Sequence, residues 1–352
     1  MFFRRDNKTK RDWAVGLDFG ATCVRGVFIR RRGAVLKLEA FDVRPLKATV
    51  GQADSIPTAA AEVAQLFDGW NVPERRAFAV IETPGTVVCQ VELPRMPLAE
   101  ARAALQLNSV RYLHRDLSNY FIDLVELCTT DAKLPPANST KQQLLVGAAP
   151  RADVLWYRNV LIAAKVRPEA IELSTLTVVN GLLATEPELC ENTVILLLDL
   201  GAHTTSMNFL WHSQLLFTHV MYFGSQQITE QLAQKLGLEL PAAVIEMQKM
   251  SEPVQALVRV AIAPLARELR SSIDFFDRQH ECSVSRTLAC GGLAGSAKVL
   301  EILSHEAGIP IEAWNCLQRI DTTQTRGDVA QLTAVTPDLA AAVGAALARL
   351  SE

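Results

Sequence analysis

Two short acidic turns in this chain have the residue types needed to bind phosphate groups. They are Asp18-Phe-Gly-Ala-Thr-Cys23 and Asp199-Leu-Gly-Ala-His-Thr204. Each follows an apolar run and leads into a second one, a pattern that predicts a β-hairpin. Glycine allows positive φ and close backbone approach, exposed turn N–H groups form an anion-binding concavity, and an Asp carboxylate can position a hydrated Mg²⁺.

The duplication is what makes these turns informative. A single Asp-x-Gly turn is weak evidence, because ordinary hairpins use it too. Two copies, each preceded by a buried-type strand, predict a duplicated domain that holds one phosphorylated ligand between its halves. A third site, Cys290-Gly-Gly-Leu-Ala-Gly295, joins a buried strand to a helix. Paired glycines in that position let the backbone approach a flat or charged ligand.

Length and composition restrict the class of protein. A chain of 352 residues suits two domains, each with its own core. The formal charge of −3 gives no general attraction to nucleic acid. The seven cysteines are scattered singly, which argues against a zinc site or a disulfide framework and for reduced core residues in the cytosol. The longest apolar stretch noted, Val194–Leu198, is far shorter than the ~20 residues of a membrane span.

Between the two turns, residues 84–141 have a pattern of strands and a helix that differs from that of the residues before them. Residues 84–141 predict a strand at Thr86–Leu93, a helix at Leu98–Tyr112 and a strand at Tyr120–Cys128. We interpret them as an inserted subdomain. Leu144–Ala149 then predicts a buried strand that returns the chain to the first domain.

The second half repeats the opening of the first and adds helices. After the Asp199 turn, the pattern predicts helices at Gln227–Leu236 and Val254–Phe276. A last buried strand, Thr287–Cys290, precedes the glycine pair, and an alanine-rich helix, Pro337–Leu350, follows.

In this order, the motifs resemble those of the actin-like, Hsp70-like and sugar-kinase ATPases. Within that superfamily the chain is most similar to the PilM family, cytoplasmic actin-like proteins of type IV pilus assembly that are related to FtsA. The resemblance extends over nearly the whole chain. The stretches that carry it are GLDFGATCVRGVFI, LLLDLGAHTTSMNFL, ARELRSSIDFFDRQ and ACGGLAGSAKVLEILSHEAGIPIE.

The resemblance implies an α/β fold of two actin-like (ribonuclease-H-like) domains around a nucleotide cleft. The first domain would consist of residues 1–83, 142–186 and 336–352, with a small α/β subdomain inserted at 84–141. The second would consist of 187–225 and 286–335, with a further subdomain at 226–285.

The same resemblance implies ATP and Mg²⁺ as cofactors, with Asp18 and Asp199 holding the metal through water. Arg25 stands where the family usually has lysine, and Glu268 and Ser272 would face the adenosine from a helix. His203 is interpreted as a solvated turn residue, and no catalytic residue is assigned. The positions expected at the cofactor are Asp18, Gly20, Ala21, Thr22, Arg25, Asp199, Gly201, Ala202, His203, Thr204, Gly224, Thr229, Glu268, Ser272, Gly291, Gly292 and Ala294.

Two departures from the family pattern reduce the expected activity. Val244 and Met247 stand where related proteins carry Glu and Lys for the adenine and ribose, although Glu246 or Lys249 could serve in a shifted register. The stretch Leu144–Pro150 ends without a Gln or Glu to orient an attacking water, which nucleotide hydrolysis requires. The prediction is an ATP-binding scaffold with weak or no ATPase activity.

The implied function is assembly of an inner-membrane type IV pilus or related secretion complex from the cytoplasmic side. The expected partner is the cytoplasmic tail of a PilN-like inner-membrane protein, docked between the first domain and residues 84–141. Thr86–Leu93 and Leu98–Tyr112 would line that groove, and homo-oligomer formation stays open.

Three alternatives remain at this stage. One is a nucleotide-free docking scaffold with a vestigial cleft. Another is a small-molecule kinase, for which we find no convincing catalytic Asp with sugar-binding residues. The third is an FtsA-like division protein, which would call for a C-terminal amphipathic membrane anchor that is not seen before Glu352.

Overall fold

The computed structural model describes residues 11–83, 85–127 and 140–350. The strands are β1 Trp13–Phe19, β2 Cys23–Arg32, β3 Val35–Pro45, β4 Arg76–Ile81, β5 Val87–Pro94, β6 Tyr120–Glu126, β7 Lys141–Pro150, β8 Arg167–Leu173, β9 Ile195–Leu200, β10 Thr205–Trp211, β11 Gln214–Met221, β12 Arg286–Cys290, β13 Glu312–Ala313 and β14 Ile320–Asp321. The helices are α1 Ile56–Asp68, α2 Leu98–Leu107, α3 Ser109–Leu113, α4 Arg151–Ala163, α5 Ser174–Thr185, α6 Pro187–Asn192, α7 Ser225–Leu236, α8 Leu240–Lys249, α9 Glu252–His280, α10 Ala297–Ala307, α11 Val329–Val335 and α12 Ala340–Leu350.

Two of the sheets repeat one topology, which confirms the predicted duplication. The first sheet has the order β14-β3-β2-β1-β4-β8, and the second has the order β11-β10-β9-β12-β13. In each, three antiparallel strands are followed by a strand parallel to the first of them: β4 beside β1, and β12 beside β9. Because the carboxyl ends of β1, β4, β9 and β12 then lie at corresponding sheet edges, the turns after them can meet.

The insert forms a third sheet with the order β5-β7-β6. The strand predicted at Leu144–Ala149 is present as β7, and it is the central strand of this sheet rather than a strand of the first sheet. It pairs with β5 on one side and β6 on the other. Its buried residues Leu144, Val146 and Ala148 belong to the core of the insert. The sheet of the insert therefore extends to Pro150, beyond the expected end at residue 141.

The helix predicted at Leu98–Tyr112 is divided at Asn108. This residue has φ −150° and ψ 63°, outside the helical region, and its side chain accepts a hydrogen bond from the Arg111 N–H. An asparagine that caps a following turn in this way ends one helix and begins the next. The last predicted residue of β6, Cys128, lies outside the described residues.

Helix α12 closes the first domain through unusually small residues. A Cβ atom added at Gly344 would collide with the carbonyl oxygen of Thr177 in α5, and one added at Gly16 in β1 would collide with the carbonyl of Ala342. Only glycine allows backbones to approach this closely. The core that α12 shares with α5 continues onto Ile195 and Leu197 of the second sheet, so this helix pair lies between the two domains.

Among the described residues, one helical stretch, Ala330–Leu350, is long and apolar enough to pass for a membrane span. Its C-terminal part contains the alanine-rich helix predicted at Pro337–Leu350. In the fold, 67% of its apolar window is buried, with α12 packed against α5 and β1. That is the environment of a core helix.

Candidate functional site

The two acidic turns share one hydrogen-bond pattern. In the first, the Gly20 N–H donates to the Cys23 carbonyl at 3.0 Å, and in the second the Gly201 N–H donates to the Thr204 carbonyl at 3.0 Å. Both hairpins were predicted from the sequence, and both are confirmed. The two turns are therefore closed by equivalent hydrogen bonds.

Asp18, at the end of β1, is buried beside a cation of the neighbouring strand. The register of the hairpin places Arg25 opposite it, and Arg25 Nη1 donates to Asp18 Oδ2 at 3.2 Å. Burial raises the pKa of Asp18 to about 6, an effect that Arg25 opposes and the charges of Asp199 and Asp338 increase. Asp18 and Asp199 therefore act on one another electrostatically, as expected if they face a common cleft.

Asp199, at the corresponding end of β9, contacts both domains. The Ser174 hydroxyl, at the start of α5, donates to Asp199 Oδ2 at 2.7 Å. A Cβ atom at Gly291 would lie 2.8 Å from Asp199 Oδ1, and Gly291 has a φ of 85°. Glycine is thus required at 291 for two reasons, and it brings the third predicted motif against the second turn. Burial raises the pKa of Asp199.

Glu82 is a site residue that sequence reasoning missed. It follows β4, and its Oε1 accepts a hydrogen bond from the Thr204 hydroxyl. A Cβ atom at Gly201 would lie 2.8 Å from Glu82 Oε2, so the carboxylate occupies space that only glycine leaves open. Burial, and then the charge of Asp199, raise the pKa of Glu82 to about 7.

A signal for Glu82 was present in the sequence. In the parallel pair β1–β4, Ile81 is opposite Phe19, so the residue after Ile81 must emerge beside the first turn. The segment after Glu82, Thr83-Pro-Gly85, has the residue types of a turn, which by themselves give no reason to place Glu82 in a site. Parallel pairing of β4 with β1, which local periodicity does not give, was the missing information.

Asp338 is a second missed carboxylate, and it connects the first turn to the glycine pair. Arg25 Nη2 lies 3.5 Å from Asp338 Oδ1. A Cβ atom at Gly292 would lie 3.4 Å from the same oxygen, and the Gly291 N–H donates to the Pro337 carbonyl at 2.9 Å. The three glycine-containing motifs of the sequence therefore converge on one cleft.

Helix α7 begins directly against the second turn. The Ser225 N–H donates to the Gly201 carbonyl at 3.1 Å, and the Gln226 N–H donates to the Ala202 carbonyl at 3.0 Å. A Cβ atom at Gly224 would collide with both of those carbonyl groups, which explains glycine at this position. Thr229 is placed differently: its hydroxyl donates to the Ser225 carbonyl at 2.9 Å and faces Met247.

The predicted residues other than the carboxylates and glycines differ in exposure. Ala21 and Thr22 are exposed at the tip of the first turn, and His203 is half-buried in the second. Ala294 is only 2% exposed and packs in the core of the second domain. The turn after Gly292 directs this side chain inward, and a place for Ala294 behind the adenosine stays a prediction.

The helix residues expected at the adenosine have other contacts. On α9, Ser272 and Glu268 face His219 of β11, at 3.0 and 3.5 Å from its Nδ1. On α8, Val244 is 43% exposed. The two alternatives considered there, Glu246 and Lys249, form an ion pair with each other at 2.7 Å.

No group of three or more His, Cys, Asp and Glu in the described part of the chain is arranged to hold a metal ion. The carboxylates at the two turns are Asp18 and Asp199. The charges of Glu82 and Asp338 act on this pair from nearby.

A separate groove lies where the insert meets the first domain. It has a volume of about 430 Å³, and its walls are β6 and β7 on one side and β8 on the other. Both β6 and β8 are edge strands of their sheets. The lining is mainly apolar and includes Phe121, which is 40% exposed. Arg349 and Glu172 form an ion pair at 3.3 Å in its wall.

The strand and helix predicted to line the docking groove contribute little to the walls of this one. Strand β5, at Thr86–Leu93 in the prediction, lies at the opposite edge of the third sheet. There Gln90 Nε2 donates to the Leu216 carbonyl of β11 at 2.6 Å. Of the predicted helix, only Arg102 reaches the groove. The reason is the central position of β7, which leaves β6 as the strand nearest the first domain.

Comparison with known proteins agrees with this architecture. The chain matches the family model described as type IV pilus assembly protein PilM over residues 16–350. Among solved structures, it is similar to one described as a "PilM-PilN type IV pilus biogenesis complex". The TM-score is 0.82 and the identity 23%, over 97% of this chain and 99% of that one.

A more distant likeness shows the wider fold. The ethanolamine utilization protein EutJ from Carboxydothermus hydrogenoformans superposes with a TM-score of 0.56 at 13% identity, over 97% of this chain and 90% of that one. The fold class predicted from the sequence, two actin-like α/β domains with an insert in the first, is confirmed. Since the family model spans nearly the entire sequence, the chain belongs to the PilM family of type IV pilus assembly proteins.

Proposed function

We propose that this chain is a cytoplasmic, peripheral component of an inner-membrane type IV pilus assembly complex. In this proposal, it binds ATP and Mg²⁺ in the cleft and docks the cytoplasmic tail of a PilN-like membrane protein in the groove. Membership of the PilM family supports the setting. The similar solved structure is a complex of PilM with PilN, which supports the partner.

The groove between β6 and β8 is the observation that carries the docking proposal. Two edge strands border it, and edge strands present unpaired backbone N–H and C=O groups that an extended peptide can pair with. The apolar lining offers pockets for alternate side chains of such a peptide. A short tail segment of one membrane protein can therefore be held by backbone pairing and by a few apolar anchors.

The docking proposal is tested by titrating the synthetic cytoplasmic tail of the PilN-like protein into the purified chain. Ala170, on β8, lines the groove, and Ala170→Arg should weaken binding at least tenfold because the new side chain fills and charges it. Val260→Arg is the matched control, since Val260 is 71% exposed on α9 in the second domain. Equal binding by both variants and the wild type would contradict docking in this groove.

Three features of the cleft support the proposal that it binds ATP with Mg²⁺. Gly201, Gly224 and Gly291 each leave space that a Cβ atom would fill. The N–H groups of the two turns other than those of Gly20 and Gly201 can bind phosphate, and the dipole of α7, which begins at the second turn, favours negative charge there. Asp18 and Asp199 would hold Mg²⁺ through water. When bound, the metal would supply positive charge for the carboxylates of the turns, and the triphosphate would supply negative charge for their N–H groups.

Calorimetric titration of ATP with Mg²⁺ tests this part. We expect binding by the wild type and its loss in Asp199→Ala, which removes a carboxylate of the second turn. Asp68→Ala, an exposed change on α1, is the control and should bind as the wild type does. Binding that survives Asp199→Ala unchanged would place the nucleotide elsewhere.

A specific observation favours a second candidate, a docking scaffold that functions without nucleotide. The polar groups of the cleft already contact one another: Asp18 with Arg25, Asp199 with Ser174, and Thr204 with Glu82. A ligand must replace those contacts, which lowers its net affinity. This candidate predicts no heat with ATP but undiminished peptide binding.

A further inference from the structure

The cleft contains a carboxylate with no role in the nucleotide and metal sites proposed above. Glu82 belongs to the first domain, yet both of its close contacts are with the second turn. Its Oε1 accepts the Thr204 hydroxyl, and its carboxylate packs against the Cα of Gly201. If the two turns hold one triphosphate between them, the Glu82 carboxylate lies beside the phosphate chain, because it contacts the second turn from the first domain.

We propose that Glu82 is a catalytic residue that accepts a proton from a water molecule attacking the terminal phosphate of the bound nucleoside triphosphate. This rests on the proposed nucleotide site and adds a hydrolase activity to it. In the step, the water oxygen forms a bond to the terminal phosphorus, and the bond from that phosphorus to the bridging oxygen breaks. One water proton goes to the Glu82 carboxylate, and the nucleoside diphosphate leaves with the electron pair of the broken bond.

The contacts of Glu82 support this role in two ways. The Thr204 hydroxyl and the Thr204 backbone N–H both donate hydrogen bonds to the carboxylate, which fixes its orientation beside the second turn. Gly201 provides the space for the carboxylate, because any larger residue there would meet both of its oxygens within 3 Å. A carboxylate held in place is better suited to orient water than a mobile one.

The electrostatic surroundings are consistent with proton transfer near neutral pH. The groups that act on Glu82 are Asp199 of β9 and Asp18 of β1, and Tyr157 of α4 experiences its charge in turn. With burial, these carboxylates raise the pKa of Glu82 to about 7. A general base is most effective when its pKa lies near the working pH.

The test compares Glu82→Gln with the wild type for both ATP affinity and single-turnover hydrolysis. Gln keeps the size of the side chain and an oxygen that can accept the Thr204 hydrogen bond, but it cannot take a proton. We expect ATP affinity, measured by calorimetry, to stay within about threefold of the wild type or to increase. The single-turnover rate should fall by roughly 10²–10⁴-fold. Glu74→Gln, an exposed change just before β4, is the matched control.

Each other result has a definite meaning. Hydrolysis by Glu82→Gln at the wild-type rate, or a wild type that binds ATP without hydrolysing it, overturns the inference and leaves the nucleotide site intact. Loss of ATP binding in a folded Glu82→Gln variant overturns it as well, because Glu82 would then be a binding group. A wild type that binds no ATP instead contradicts the proposed nucleotide function, and this inference with it.

Discussion

At the scale of residues, the cleft is defined by buried carboxylates that approach one another from different strands. Asp18, Glu82 and Asp199 are each destabilised as anions, because burial removes water and the neighbouring acids add repulsion. Arg25 compensates for part of this by contacting Asp18 and Asp338. A cation or a set of donors at this place would relieve the remaining repulsion, which is what a metal-bound ligand supplies.

These carboxylates predict how stability depends on pH without ligand. The pKa of Asp18 rises from 3.8 to about 6 on folding, and that of Glu82 from 4.5 to about 7. The folded state therefore binds more protons between about pH 4 and pH 7, so the free energy of unfolding should fall as the pH rises through that window. Their contribution is complete below about pH 4 and is lost above about pH 7.

Glu82→Gln should make that pH dependence shallower. At pH 8 the variant should be more stable than the wild type, by something on the order of 1–2 kcal/mol, since it buries no charge at this position. Guanidinium denaturation at several pH values measures both quantities. If the free energy of unfolding changes with pH equally in variant and wild type, the pKa of Glu82 is the same in the folded and unfolded chain, which contradicts this prediction.

Residue-level prediction succeeded where local constraints decide and failed where distant strands meet. The glycines at 20, 201, 224 and 291 were found because turns and close backbone approaches need them. Glu82, Ser174 and Asp338 were missed because their places depend on sheet order and on the path of the C-terminal segment. A motif also gives a turn's position but not the direction of each side chain, as at Ala294, whose side chain packs in the core of the second domain.

At the scale of elements, sheet order decides which strands serve the groove. The strands of the insert were predicted individually, and their pairing was not. With β7 in the centre, β6 faces the first domain and β5 faces β11. Alternating patterns give a strand's two faces but not its neighbours, so this assignment could not be obtained from one sequence.

The contact between α5 and α12 makes a prediction at this scale. A Cβ atom at Gly344 would collide with the Thr177 carbonyl, and the Cα of Gly344 would lie 3.1 Å from a Cβ at Gly181. Gly344→Ala must therefore separate the two helices, and we expect it to destabilise the protein by about 1–3 kcal/mol.

The measurement is chemical denaturation against a matched glycine. Gly69, at the end of α1, has no atom within 4 Å of an added Cβ and has a φ of −79°, so Gly69→Ala should leave stability nearly unchanged. Equal stability of the two variants would mean that α5 and α12 can separate at no cost and are not closely packed.

At the scale of the whole molecule, the second domain touches the insert as well as the cleft. The second turn leads through β10 to β11, whose Leu216 carbonyl accepts the hydrogen bond from Gln90 on β5. In the three-stranded sheet, β5 and β6 are joined by β7. A displacement of the second domain can therefore reach the groove through one small sheet.

We expect nucleotide and partner peptide to affect each other's affinity through this contact. If ATP favours a closed cleft, the peptide affinity should change severalfold when ATP binds. Binding of the peptide should then change the ATP affinity by the same factor. Gln90→Ala should bring that factor closer to one by removing the link to Leu216. Peptide titrations with and without ATP measure it.

Gln143→Ala is the control for this experiment, because Gln143 of β7 contacts Glu92 within the insert. It should keep the coupling of the wild type. Equal peptide affinity with and without ATP in the wild type would rule out the coupling itself.

The packing of α12 against β1 has a consequence for biosynthesis. Gly16 and its contact Ala342 are far apart in the sequence, so the first domain lacks one wall of its interior until all the residues between them have been translated. At ribosomal speeds this delay is on the order of tens of seconds. During it, the nascent chain exposes an apolar surface that a chaperone would have to cover, and a truncated product would keep that surface for degradation machinery to find.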